Sequence, residues 1–394
     1  MDRLNASISQ SLLHVIMQSG STSRVAGPQL VQAIAGLSRV FTKERGAISQ
    51  AYLEDPVLAA AYLSYFLPVN LSKVQALLDE MPVTEEGQRF SVLDLGSGPG
   101  TGALAVLDWW HRRRFEMAVS AVALDTVPSA LRQAERLWDG YCHAAGITAA
   151  SLHMCEGDLE RRAWLEQVKE RAPFDLVILA NCLNELYLGA KDPIGARAGL
   201  VAEVFALLAP RGTMMIIEPA LRETSRALHQ LRDRLLQEKR CTVYSPCLHE
   251  NSCPALINPH DWCHEERKWE APPIIHKIDE EVGFIKDALK FSYLLLRKDG
   301  KTIVERRADV YRVVSELRVM KGEKRAWLCN EQGRQEVGRQ DRLVSAQNEA
   351  FDQWHRGAIV QIEQIVRKEK GGKVSALGRI EQGATVKIIR PVDL

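Results

Sequence analysis

Residues 91–102 read Ser-Val-Leu-Asp-Leu-Gly-Ser-Gly-Pro-Gly-Thr-Gly, and they constrain the fold more than any other part of the chain. Residues 92–95 form an apolar run of the length a buried parallel strand needs. Glycines follow at 96, 98, 100 and 102, and the Ala/Leu-rich residues 103–110 read as a helix. The unit is therefore strand, tight turn and helix. Glycine serves where a turn needs positive φ and where backbone must approach a ligand, and a helix that starts there offers unpaired amides. A loop of this kind is built to hold a small ligand.

Two ligands compete for it. Counted from Gly98, the residues Gly98-Pro-Gly100-Thr-Gly102-Ala103 satisfy the dinucleotide fingerprint that ends in Gly or Ala, which points to NAD or FAD. Counted from Asp94, the loop with Gly96, Ser97, Gly98 and Gly100 resembles the first motif of class I methyltransferases, which bind S-adenosylmethionine. The second ligand fits the chemistry better. A dinucleotide site presents a helix terminus to a pyrophosphate, whereas the adenosylmethionine head is a zwitterion with a sulfonium, and Asp94 at the strand end can act on its ammonium group directly or through water.

Beyond residue 91 the chain alternates strands and helices as a parallel sheet with helices on both faces requires. Strands are expected at 118–125, 151–156, 174–181 and 213–218, with helices at 127–141 and 195–208 and a turn at Pro210-Arg-Gly212. Ligands in such sheets lie beyond the carboxyl ends of the strands. Asp125 then suits the ribose hydroxyls, Asp158 an adenine amino group, and Asn181 the place where the methionyl group meets an acceptor.

The 85 residues before the sheet read as helical, with Leu30, Ile34, Leu37 and Val40 at helical spacing and Pro56 and Pro68 punctuating the segments. They are expected to pack or to dock a partner, with no chemistry of their own. No apolar run is read as approaching the roughly 18 residues that span a bilayer, and the first seven residues lack the order of a secretory signal. The expectation is a cytoplasmic protein without a membrane partner, monomeric when free.

The net charge of +1 hides an asymmetry: residues 286–394 hold 23 Lys/Arg against 15 Asp/Glu, while residues 1–285 hold 28 against 35. A basic end joined to an acidic body suggests a module that faces a polyanion. Four of the eight cysteines, Cys241, Cys247, Cys253 and Cys263, fall within 23 residues. In a reducing compartment such a cluster is better read as metal ligands than as disulfides, because a metal centre can order a segment that lacks a core. Cys247, Cys253 and Cys263 supply three sulfurs. The fourth donor is Cys329, Cys241 or a nearby histidine, and iron–sulfur and zinc both suit four thiolates. His249, His260 and His264 are candidate supporting donors.

Together with the glycine loop, the runs Pro246-Cys-Leu-His-Glu-Asn-Ser-Cys-Pro254, His260-Asp-Trp-Cys263 and Lys290-Phe-Ser-Tyr-Leu294 resemble the methyltransferase-like small-ribosomal-subunit assembly factors of bacteria and mitochondria. The resemblance spans roughly residues 51–333. It implies a class I Rossmann-like α/β fold that binds S-adenosylmethionine, a [4Fe-4S] cluster on Cys247, Cys253, Cys263 and Cys329, and association with the small ribosomal subunit or its rRNA. The expected organisation is a helical domain over 1–85, the cofactor domain over 86–239, a cysteine-rich metal-binding insertion over 240–285, and final strands with a basic C-terminal region over 286–394. That last region should include a short β element over 373–389 that contacts RNA backbone.

One departure bears on activity. Enzymes acting on exocyclic base nitrogens carry Asn/Asp-Pro-Pro-aromatic after the fourth strand, where the ring stacks on a flipped base, and this chain reads Asn181-Cys-Leu-Asn-Glu185. Cys182 is better read as packed than as a nucleophile. Methyl transfer needs mainly in-line placement, so Asn181 and Glu185 remain the candidate catalytic residues of an rRNA methyltransferase. The alternative is a binding factor whose cofactor and metal are structural or sensing elements.

Overall fold

The computed structural model describes residues 8–21, 27–44, 52–82, 87–284, 287–370 and 372–392. The first seven residues, read above for a secretory signal, and residue 51, where the family resemblance begins, lie outside them. The chain divides into two compact units, Met1–Leu221 with Lys268–Leu289, and Arg222–Arg267 with Lys290–Leu394.

The first unit begins with helices α1 (Gln10–Ser21), α2 (Gly27–Thr42), α3 (Pro56–Ala61) and α4 (Leu67–Leu78). Asp55 caps α3, its carboxylate accepting from Val57 N at 2.8 Å and Leu58 N at 3.0 Å, and Pro56 occupies the first turn where its missing N–H costs nothing. Pro68 does not end a segment as the sequence suggested. A π-helical turn over Tyr62–Phe66 carries α3 straight into α4, and the shifted hydrogen-bond register there accommodates the proline. The continuous helix Pro56–Leu78 has 23 residues and a mean hydropathy of 1.3, long and apolar enough to cross a membrane by length and composition, contrary to expectation. Of its most apolar window, 61% is buried inside the protein, so these residues serve as core.

The sheet follows: β1 (Arg89–Leu95), α5 (Thr101–Arg112), β2 (Ala118–Asp125), α6 (Pro128–Ala145), β3 (Ala150–Glu156), α7 (Trp164–Lys169), β4 (Phe174–Ala180), α8 (Pro193–Ala206) and β5 (Leu208–Pro219). The strands run parallel in the order β3-β2-β1-β4-β5. This is the class I methyltransferase, Rossmann-like arrangement expected of the sequence. Val92, Leu93, Leu95, Leu176, Val177 and Ile216 are fully buried, as strands covered on both faces must be. The expected turn at 210–212 is instead taken into β5, which bulges between its pairings with Phe174 and Leu176. Gly212 permits this, since a Cβ there would lie 2.8 Å from the Phe174 carbonyl.

Asp108 of α5 ties the N-terminal helices to the sheet. Its buried carboxylate accepts from Gln75 Nε2 at 2.7 Å, Tyr141 Oη at 2.7 Å and Arg112 Nε at 3.0 Å, drawing α4, α5 and α6 onto one charge. A buried carboxylate is tolerated only with such company.

The second unit holds α9 (Arg222–Gln237), β6 (Thr242–Ser245) and most of β7 (Glu265–Lys268) and β8 (Ala288–Arg297), with β6 antiparallel to β8. An eight-stranded sheet follows: β9 (Val310–Val313), β10 (Arg318–Met320), β11 (Glu323–Asn330), β12 (Gly333–Gln340), β13 (Ile359–Ile362), β14 (Val366–Lys370), β15 (Lys373–Arg379) and β16 (Val386–Arg390). It is much larger than the short β element expected over 373–389, which contributes only β15 and β16. Its own core includes Tyr311, Leu328, Val337, Phe351, Trp354 and Ile380. The charges that obscured it in the sequence are paired: Arg339, 1% exposed, donates to Asn348 O at 2.8 Å and bonds Asp352.

Candidate functional site

The glycine loop closes on itself before any ligand is considered. Gly96, Gly98 and Gly100 have φ of 66°, 53° and 85°, a region that L side chains avoid. Ser97 O accepts from Gly100 N and Thr101 N, both at 3.0 Å, which turns the chain into α5. The glycines differ in what lies against them. A Cβ on Gly96 would fall 2.6 Å from Cys182 Cβ, on Gly100 3.0 Å from Ala134 Cβ, and on Gly102 2.6 Å from Asp94 Oδ1, whereas among the described residues nothing lies within 4 Å of one on Gly98. Gly98 is thus the member of the loop that faces open space.

The expected acids take distinct places. Asp125, at the end of β2, receives Gly98 N at 2.8 Å and Val127 N at 2.9 Å and stays half-exposed. Asp94 is turned inward: its carboxylate accepts from Ala103 N at 2.9 Å and from Gly102 N, so it caps α5 rather than facing the open side of the loop. Asp158 is half-buried beyond β3, accepting from Glu160 N at 2.9 Å and pairing with Arg161 at 3.3 Å. Asn181 follows β4 with φ of 59°, its N–H donated to Ile217 O at 2.8 Å, and Glu185 ends the short 3₁₀ turn Leu183–Glu185.

Cys182 packs against the loop, its thiol donating to Leu95 O at 3.2 Å. Burial raises its pKa well above the usual range, and Glu218, Glu185, Asp94 and Asp125 add to that. A thiol so placed is a poor nucleophile. Four carboxylates thus act on one thiol next to the glycine loop. Glu218, not expected from the sequence, is 2% exposed and accepts from Asn184 N at 3.1 Å, and burial pushes its pKa up to about 8.

Burial likewise lifts Asp94 from 3.8 to about 7, against the pull of the Ala103 and Gly102 amides. Between those values the folded chain keeps a proton that the unfolded chain releases. Its contribution to stability is therefore full below about pH 4 and is lost as pH rises toward 7. The unfolding free energy from urea titrations should fall across that window by on the order of 1 kcal/mol per pH unit for this one group. Asp94→Asn keeps an acceptor for Ala103 N and should flatten the slope. An unchanged slope would exclude Asp94 as its source.

In the second unit, Cys247, Cys253, Cys263 and Cys329 are drawn together from the loop after β6, the segment before β7, and β11. Burial raises Cys329 well above the usual thiol range, with Cys247, Cys263 and Cys253 raising it further, and burial pushes Cys263 up to about 11 with Cys247 adding. Cys241, pushed up to about 12, is raised by burial and by Glu250, with none of these four thiols among its causes. All eight cysteines are free thiols. Among the described residues no group of three or more His, Cys, Asp or Glu side chains converges as a single-ion site. His249 Nε2 lies 3.6 Å from Cys329 Sγ, while His264 Nε2 is engaged with Glu266 at 2.9 Å and His260 is exposed.

Sequence reasoning missed the arginines of α9 that shape this segment. Arg226 donates to Ala255 O at 3.0 Å, Asn258 O at 2.8 Å and Asp261 O at 2.7 Å. Fully buried Arg232 donates to Asn251 O at 2.8 Å and His249 O at 2.5 Å and is held charged by Cys247 and Asp233. A signal was present in the six-residue spacing of two arginines on an otherwise amphipathic helix, but a solvated face explains the same pattern. Four thiols, Cys253 buried and the other three half-buried, beside a buried guanidinium suit a thiolate-bound metal group, because thiolate charge is otherwise costly there.

A family model described as "Mitochondrial small ribosomal subunit Rsm22" matches residues 56–344. The chain belongs to the Rsm22 family. The match spans both units and takes in the glycine loop and all four of these cysteines. No curated protein matches the chain. Solved structures similar to it include the methyltransferase subunit of a type I restriction-modification system from Streptococcus thermophilus, at 15% identity and TM-score 0.35, covering 69% of this chain and 54% of that one. An O-methyltransferase family protein from Burkholderia thailandensis matches at 16% identity and TM-score 0.32, over 67% and 64% respectively. A fibrillarin/Nop5p complex matches at 12% and 0.32, over 58% and 82%. The Rsm22-family chain thus spans less than two thirds of each of the first two.

Proposed function

We propose that this Rsm22-family protein binds S-adenosylmethionine at the Gly98 loop, serves the small ribosomal subunit or its rRNA during assembly, and carries a [4Fe-4S] cluster on Cys247, Cys253, Cys263 and Cys329. The observation that carries the cofactor is the acidity of the crevice. Asp125, which accepts from Gly98 N at 2.8 Å, and Glu185, which follows β4, attract a ligand bearing a sulfonium and an ammonium and disfavour the pyrophosphate of a dinucleotide, while burial favours the neutral forms of Asp94 and Glu218. In this reading Gly96, Ser97, Gly98 and Gly100 offer backbone, Asp125 takes the ribose, and Asp158 the adenine amino group. Asn181 and Glu185 line the reaction site.

The donor set supports the cluster. Cys247, Cys253 and Cys263 all act electrostatically on Cys329, which suits a group that four thiolates hold in common. When bound, such a cluster supplies cross-linking of three chain segments and one-electron chemistry. The exposed cations Arg318, Lys321, Lys368, Lys373 and Lys387 on the second unit's sheet supply a surface for rRNA phosphates.

A second reading has a specific observation behind it. The segment after β4 forms a short turn with Leu183 and Asn184 buried and carries no aromatic side chain before Tyr187, so a base platform is missing at that place and the protein serves as a non-catalytic rRNA-binding factor. Mapping rRNA methylation in cells with and without the protein separates the two. Loss of one methyl mark is expected for the enzyme, and an unchanged map with defective subunit assembly for the factor. Calorimetry with S-adenosylmethionine and NADH tests the cofactor, and preference for NADH would defeat it.

A further inference from the structure

The start of α1, in the segment expected to carry no chemistry of its own, borders a basic cleft of the first unit. Ser9 opens the helix, its hydroxyl accepting from Leu12 N at 3.2 Å and donating to Tyr141 Oη at 3.3 Å. That contact sets the start of α1 against α6, and the end of α5 closes the third side. The space between them is an open cleft of about 460 Å³. Among the described residues it is lined by Ser9, Ser11, His111, Arg112, Arg114 and Tyr141, with the last two alanines of α6 and no carboxylate.

The three consecutive arginines at the end of α5 have different partners. Arg113 bonds Asp79, lies over the Trp109 ring at 5.8 Å and takes no part in the lining. Arg112 is anchored, its Nε donating to Asp108 Oδ2 at 3.0 Å, while its Nη2 meets no acceptor among the described residues. Asp108 is fully buried and shared with Gln75 and Tyr141, so the carboxylate that orients Arg112 stands outside the lining. Arg114 is exposed, and its guanidinium has no partner among the described residues. It holds φ of 55°, a left-handed backbone that strains an arginine and would suit glycine. His111, also exposed, meets the Tyr141 ring edge-on at 6.4 Å.

This lining is rich in donors and carries net positive charge, so it takes an anion. The fork of an arginine matches the paired oxygens of a phosphate, and serine hydroxyls complete such a set. Small-molecule sites are mostly apolar and enclose their ligand. The cleft is open and polar, which suits a phosphodiester in a strand that continues past it.

We propose that the cleft holds a backbone phosphate of rRNA between Arg112 and Arg114, which gives the first unit an RNA contact of its own. The inference rests on the reading that the protein serves the small subunit's rRNA, and it adds a site apart from the sheet cations of the second unit. α5 begins at the glycine loop and ends at the cleft, and its 12 residues span about 18 Å. One rigid helix therefore fixes the distance between the cofactor crevice and the bound strand. A phosphate contact positions RNA without reading its sequence.

The test is filter binding of labelled small-subunit rRNA to the full chain over a salt series. Arg114→Gly removes the cation and relaxes the backbone, so its melting temperature should hold or rise while affinity falls about three- to tenfold. The slope of log K against log salt should shrink by one phosphate contact, about 0.7–0.9. Ser11→Glu places a carboxylate in the first turn of α1, where it favours the helix, and should weaken binding at least as much by repulsion. It carries the same test should Arg114→Gly fail to fold. Unchanged affinity and slope in the folded variants would overturn the phosphate contact. Calorimetric binding of inorganic phosphate that both variants abolish, with rRNA binding untouched, would also overturn it and leave a small-anion site. Wild type that binds no rRNA would instead defeat the reading on which the inference rests.

Discussion

Gly98→Val is expected to abolish S-adenosylmethionine binding while leaving most of the first unit's stability. The residue holds φ of 53° and has no atom within 4 Å of where a Cβ would stand. A Cβ there meets none of the described residues; a valine side chain fills the space a ligand must enter and strains the loop through its left-handed backbone, at a cost of about 1–2 kcal/mol. Its amide, given to Asp125 at 2.8 Å, would also be displaced. Gly102→Ala should do the reverse. Its Cβ would fall 2.6 Å from Asp94 Oδ1 and push the carboxylate off the start of α5, so stability falls first and binding only in consequence. Calorimetry beside thermal melting separates the pair. If Gly98→Val binds the cofactor as wild type does, the loop is a turn and no more.

That contrast also marks how far the sequence could be read. The strand–loop–helix at 91–110 was legible because glycine at alternate positions has few uses other than backbone approach, and the parallel strands because their apolar runs were short and evenly spaced. Which glycine faces a ligand was not legible. Gly96, Gly100 and Gly102 are small to make room for Cys182, Ala134 and Asp94, contacts made by residues up to 86 positions away. Asp94 has the right place for an ammonium partner in sequence, and only the fold shows its carboxylate spent on α5. The second sheet was missed because its strands alternate apolar residues with arginines whose partners are distant, so a period-2 pattern looked like a charged surface.

Cys253→Ser is expected to cost the second unit its metal group and its order. Anaerobically purified wild type should be brown, with iron and sulfide near the stoichiometry of one cluster. Cys253 is 7% exposed, its N–H is held by Asp233 at 2.9 Å, and it opens the short turn Pro254–Leu256. Burial pushes its thiol far above the usual range, and Cys247 and Cys263 add to the shift. In the proposed reading a cationic core offsets the charge of four thiolates there, and its binding energy adds to the apolar packing of Leu248 and Ala255 as folding energy for the segment. Removing one ligand withdraws most of that energy, whereas Cys241→Ser, outside the quartet, should leave iron content and colour unchanged. Limited proteolysis should open residues 247–263 in the first variant and not in the second. A colourless wild type holding about one zinc would replace the iron assignment and keep the four ligands. Full iron in Cys253→Ser, with unaltered proteolysis, would remove Cys253 from the site, and the spacing of Cys247, Cys263 and Cys329 would then need another fourth donor, for which His249, 3.6 Å from Cys329 Sγ, is the nearest imidazole to that thiol.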